Sequence, residues 1–98
     1  MKRVYIAHPL RGNVTENIQQ ATDICLKYAR QGEVIPLSPL HAFQFLDITG
    51  DQVKAMQMCF ELLAMCDELW IHGPWWTSEG CQAEICFAGC RDIPVRFK

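Results

Sequence analysis

The sequence predicts a single α/β domain over residues 1–98, a doubly wound parallel sheet of strand order 2-1-3-4 with helices on both faces. Three observations predict it. Short apolar runs rich in β-formers alternate along the whole chain with segments of helical period, the pattern of a parallel sheet with right-handed crossovers. The strand runs are nearly continuous in apolar character, as strands buried on both faces must be. The chain has 98 residues, half of them apolar, enough for one core and no more.

The first strand is Val4-Tyr5-Ile6-Ala7-His8. Pro9-Leu10-Arg11-Gly12-Asn13 turns the chain, and a helix follows with Asn13 or Thr15 as its cap. Ile18, Ala21, Cys25 and Tyr28 recur at helical spacing and form its inner stripe. Gly32 ends it. Val34-Ile35-Pro36-Leu37 is a second strand, and its proline, which lacks a donor, assigns it to an edge. Ser38 to Gly50 is a long connection with a helical turn near His41-Ala42-Phe43. Connections of that length in small domains are commonly functional.

Residues 51–66 form a helix that is apolar almost all round. Met56, Met58, Cys59, Phe60, Leu62 and Met65 cannot all face one sheet, so one side is expected to meet a second copy of the chain in a homodimer. Asp67 and Glu68 read as the end of that helix. Glu68-Leu69-Trp70-Ile71-His72 is the third strand, Gly73 to Thr77 a loop, and Val95-Arg96-Phe97 the last strand after Pro94. Repeats, linkers and low-complexity tracts are absent from the sequence.

Charge narrows the function. The net charge is −2 with no block of like charges, which argues against nucleic acid polymers and membrane surfaces as partners. A single nucleotide needs only one or two cations and some backbone N–H groups. No segment is long enough for a membrane span, and the apolar run at the start is too short for a signal peptide. The six cysteines lie on predicted helices among apolar residues and read as reduced core thiols, consistent with a cytoplasmic location. Cys86 and Cys90 share a helix face and, with His72, imitate a metal site, but Cys81 points elsewhere and no CxxC pair exists. Neither a metal nor another cofactor is expected.

The most informative residue is Glu84. Thr77 to Ala88 reads as a helix capped by Ser78. Glu84 lies one turn after Gly80 and one turn before Ala88, beside the apolar stripe of Cys81, Ile85 and Gly89. A carboxylate there is either paired, with Arg11 or Arg91, or working. The helix opens at the carboxyl end of a strand, where open α/β sheets bind ligands, and strand order 2-1-3-4 sets the loop after strand one beside it. The first loop offers His8, Pro9, Arg11, Gly12 and Asn13. The second offers Ser78, Gly80 and the indoles of Trp75 and Trp76, which can cover a ligand, the core or a dimer seam. Two helix N-termini and a guanidinium favour an anion. The expected ligand is a small nucleoside or nucleotide, held where Arg11, Ser78 and Glu84 converge.

Tyr5-Ile6-Ala7-His8-Pro9-Leu10-Arg11-Gly12-Asn13 resembles the first strand and loop of the nucleoside 2-deoxyribosyltransferase superfamily. Ser78-x-Gly80-x-x-x-Glu84 resembles its nucleophile motif, especially in deoxynucleoside 5′-monophosphate N-glycosidases. With Ser38-Pro39, Phe45-Leu46-Asp47 and Cys66-Asp67-Glu68-Leu69-Trp70, the whole chain is similar to the domain of unknown function numbered 4406. The resemblance implies a flavodoxin-like fold and N-glycosidic chemistry. A glutamate matching Glu84 would attack the anomeric carbon of a 2-deoxyribosyl group, while the Ser78 hydroxyl and nearby N–H groups hold phosphate or sugar. The resemblance also exposes a departure. Those N-glycosidases carry an aspartate on the helix before strand three, whereas Ala55-Met56-Gln57-Met58-Cys59-Phe60 contains no acid. Asp47, Asp51, His8 or His41 are the candidate substitutes. A nucleotide sensor without turnover is the alternative reading, and an interaction protein that works through its apolar helix is a third.

Overall fold

The computed structural model describes residues 1–47 and 50–98. The part of the 38–50 connection at residues 48 and 49 lies outside the described residues. The elements are β1 (Lys2–Ala7), α1 (Val14–Gln31), β2 (Val34–Leu37), α2 (Pro39–Ala42), α3 (Gln52–Ala64), β3 (Glu68–Ile71), a 3₁₀ turn (Trp75–Thr77), α4 (Glu79–Cys90) and β4 (Val95–Phe97). All strand pairs are parallel and the order is β2-β1-β3-β4. The doubly wound architecture is as the alternation of elements predicts.

Local signals explain the boundaries. Asn13 caps α1 by accepting from the Glu16 amide at 3.2 Å, and Gly32 closes it in the left-handed region at φ 74°, which a residue without Cβ enters at little cost. Pro36 sits on edge strand β2, as its missing donor requires. The segment 75–77, expected as plain loop, tightens into a 3₁₀ turn because Thr77 N–H reaches the Pro74 carbonyl at 3.1 Å.

Strand alternation sorts the side chains onto two faces. Tyr5, Ala7, Leu69 and Ile71 pack with Leu63, Cys66, Cys81 and Ala88 into the core on the α3/α4 side. On the opposite side Trp70 meets Tyr28 of α1 edge to face, with ring centres 5.0 Å apart.

Several sequence expectations need correction here. Glu68 does not end the preceding helix; it opens the third strand, as the strand reading places it. It lies in β3, accepts from Lys2 Nζ at 2.5 Å, Arg96 Nε at 2.8 Å and Trp70 Nε1 at 3.0 Å, and is 4% exposed. Cys86 and Cys90 are exposed on the outer side of α4, and Gly89 is exposed with them, so the buried stripe of that helix is Cys81, Glu84 and Ala88. The apolar surface of α3 is partly used within the chain: Phe60 stacks flat on Phe87 of α4 at 4.7 Å. Val53 and Met65 remain 75% and 57% exposed.

Candidate functional site

Because β1 and β3 are hydrogen-bonded neighbours, the loops that leave their carboxyl ends touch. His72 N–H donates to the Ala7 carbonyl at 2.9 Å. Gly73, at φ 71°, packs so closely on the first loop that a Cβ there would stand 3.1 Å from His8 Nε2 and 3.3 Å from Pro9 Cδ. A side chain at that position would be strained by backbone and neighbour alike. Sequence reasoning missed Gly73. The one available signal was a glycine directly after an apolar strand.

His8 is buried, and both ring nitrogens face oxygens: Nδ1 lies 2.8 Å from the Pro9 carbonyl and Nε2 3.0 Å from Gln20 Oε1. The ring ties the first loop to α1. Gly12 is exposed at φ 99° and makes the turn. Arg11 is exposed, with its carbonyl held by Asn17 Nδ2 at 3.1 Å. Among the described residues its guanidinium makes no hydrogen bond or ion pair, to Ser78, Glu84 or any other group.

Ser78 caps α4, its hydroxyl accepting from the Cys81 amide at 3.2 Å. Gly80, one turn before Glu84, faces α3: a Cβ there would make ordinary contact with Met56 Sδ and Ser78 Oγ, both at 3.8 Å. The α3 residues near this region are Met56, close to Gly80, and Cys59, close to Tyr5 and Glu84, a thioether and a thiol rather than an acid.

Glu84 is 6% exposed and is held by Tyr5, whose hydroxyl donates to Oε2 in a short hydrogen bond. Neither Arg11 nor Arg91 pairs with it among the described residues; Arg91 lies over the Phe87 ring at 4.8 Å. Burial pushes the Glu84 carboxyl up to about 7, and the Tyr5 hydrogen bond pulls in the other direction. Burial and the neighbouring carboxylate hold the Tyr5 phenol well above its ordinary range, so it stays a donor. The Cys59 and Cys81 thiols are pushed up to about 11, chiefly by burial, and stay neutral. Within this cluster, Glu84 is the group that changes charge near neutral pH.

Tyr5 is the hydrogen-bond partner of Glu84 that the sequence did not reveal. It is the fourth residue of β1, fully buried, and reads from sequence as one more apolar β-former. Its contact with Glu84, 79 positions away in sequence, appears only in the folded chain. His72 is also buried: its Nε2 lies 2.8 Å from the Tyr28 hydroxyl, and Nδ1 has no partner among the described residues. Burial lowers its basicity, with His8 nearby adding to the effect.

A four-stranded parallel sheet of order β2-β1-β3-β4 with helices packed on it defines an α/β protein of the 2-deoxyribosyltransferase fold. A 2-deoxyribosyltransferase from the psychrotolerant bacterium Bacillus psychrosaccharolyticus superposes with a TM-score of 0.73 over 97% of this chain and 70% of that one, at 15% identity. Residues 2–98 match the family described as Domain of unknown function (DUF7768), and the chain belongs to that family. The motifs resemble the domain numbered 4406, but the family model that matches is DUF7768. A search of curated proteins gives no match.

Proposed function

We propose that the chain binds a nucleoside or nucleotide and cleaves or transfers at its N-glycosidic bond, with Glu84 as nucleophile. The observation that carries this reading is the buried Glu84–Tyr5 pair, set in a fold shared with a 2-deoxyribosyltransferase. Ionised Glu84 attacks the anomeric carbon and the base departs with the bonding electrons. Water or a second base then opens the glycosyl ester. Tyr5 holds Oε2 and leaves Oε1 as the attacking oxygen. Its hydrogen bond also favours the ionised form that burial opposes. Ser78, Gly80, Arg11, Gly12, Asn13, His8 and Pro9 hold sugar and phosphate between the N-termini of α1 and α4.

One observation favours a second reading. Met56 and Cys59, not an acid, lie beside Gly80, Tyr5 and Glu84, so a nucleotide sensor without turnover fits the same residues. In either reading the protein works in the cytoplasm without a cofactor, as a homodimer through residues 51–66, whose exposed Val53 and Met65 supply apolar area. The experiment is a panel of nucleosides and nucleotides followed for free base by chromatography, with binding measured by calorimetry. Base release that disappears in Glu84→Gln supports catalysis. Binding without release in the wild type supports the sensor. Neither binding nor release across the panel removes both.

A further inference from the structure

A second cluster lies away from Glu84, where α1, β2 and α2 meet. Ser38 stands at the N-cap of α2, yet its side chain makes no capping hydrogen bond. Its Oγ lies instead 2.7 Å from His41 Nδ1. His41 Nε2 lies 2.7 Å from Thr22 Oγ1, and Thr22 Oγ1 donates to the Ile18 carbonyl at 2.9 Å.

These distances fit an arrangement that arms Ser38. With the Thr22 hydroxyl donating to the Ile18 carbonyl, Thr22 accepts from His41. In that arrangement His41 carries its proton on Nε2, and its Nδ1 lone pair accepts from the Ser38 hydroxyl. The result is a nucleophile, a base in contact with it and a third group that orients the base. Cys25 adds a thiol beside Ser38, but burial raises its pKa and keeps it protonated. Ser38 is 8% exposed, and Ser38 and His41 form one end of a trough of about 320 Å³ whose walls are Leu26, Ala29 and Pro36. A short apolar chain fits such walls, and a charged one does not.

We propose that Ser38 is a second nucleophile, activated by His41 and oriented through Thr22, which accepts short apolar acyl groups from activated esters. Ser38 Oγ forms a bond to the ester carbonyl carbon and the ester C–O bond breaks. The hydroxyl proton passes to His41 Nδ1 and leaves with the departing alcohol or to solvent. The step needs no residue of the Glu84 site.

The test uses the full chain with p-nitrophenyl acetate and p-nitrophenyl butyrate, following p-nitrophenolate release and mapping the adduct by peptide mass spectrometry. The expected result is a burst of p-nitrophenolate and an acyl adduct on Ser38, absent in Ser38→Ala and unchanged in Cys25→Ser. Loss of the base in His41→Gln should slow acylation about 100-fold or more. Thr22→Val should slow it about 10-fold by freeing the ring to rotate. Circular dichroism melting reports whether each variant is folded. If His41→Gln unfolds, the wild-type adduct map and Thr22→Val decide. No adduct in the wild type overturns the proposal. So does an adduct confined to Cys25 or a lysine, or a folded His41→Gln or Thr22→Val variant that acylates at the wild-type rate.

Discussion

Glu84 and Glu68 are hidden from water to the same degree, 6% and 4% exposed, on opposite faces of one sheet. Their chemistry is opposite. Glu68 receives two cations and an indole N–H, and these hydrogen bonds, Lys2 first, hold its carboxyl down at about 2. It is covered by the side chains of its own partners, and desolvation is a minor influence on it. Glu84 lies under the core with one neutral donor, Tyr5, and burial drives its carboxyl up to about 7. Concealment alone therefore does not say what a carboxylate is for. A carboxylate surrounded by cations is a structural anchor. One given a single phenol retains a charge change near neutral pH, as a reactive group does.

The comparison has consequences for stability. Glu84 has a folded pKa above its unfolded value, so its contribution is intact below about pH 4.5 and is lost as pH rises through about 7. Glu68 has a folded pKa below its unfolded value, so its contribution is present above about pH 4.5 and is lost as pH falls toward about 2. The two carboxylates tilt stability against pH in opposite directions.

The largest expected effect tests Glu84 as the reactive member of the pair. In Glu84→Gln, base release should fall about 10³-fold or more while ligand binding persists. The same variant should unfold at higher temperature than wild type at pH 8, because the cost of ionising a buried group disappears. That cost corresponds to about 3 kcal/mol for a shift of this size. Thermal melts at pH 5 and pH 8 check it: equal shifts at both would contradict the assignment of the alkaline slope to Glu84.

Tyr5→Phe comes next. It removes the one donor on Oε2 and leaves the carboxyl more isolated, so the rising limb of activity should move to higher pH. The variant should also lose about 1–3 kcal/mol, the range for an orphaned buried polar partner. A pH–rate profile and a urea titration separate the two effects.

Glu68→Gln should leave base release unchanged and cost about 1 kcal/mol, because Lys2 and Arg96 are 61% and 58% exposed and solvent screens them. Its stability loss should vanish in high salt, and the acid-side slope of wild type should flatten in the variant. Any drop in activity would end the separation of roles argued for the two faces. Ser78→Ala tests the helix that carries Glu84. Loss of its cap costs about 1 kcal/mol, and guanidinium melts of the folded chain measure it.

The fold and the position of Glu84 were legible in the sequence because both depend on local periodicity. Alternating strand and helix patterns dictate a parallel sheet, Pro36 marks the edge strand, Asn13, Ser78 and Gly32 mark helix ends, and three- and four-residue spacings set Glu84 on the inner side of α4. The partners of the buried groups were not legible. Tyr5 and Glu84 are separated by 79 positions in sequence, and Lys2 and Glu68 by 66. No spacing rule reaches that far. The side of α3 that Phe60 presents to Phe87, and the exposure of Cys86 and Cys90, likewise follow from how helices settle over the sheet. The amino-acid sequence by itself determined which elements form, in what order, and that a carboxylate would lie on a packed helix face. Only the tertiary structure decided which donors surround each carboxylate, because its protonation depends on the dielectric and hydrogen bonds assembled from distant strands rather than on its neighbours along the chain.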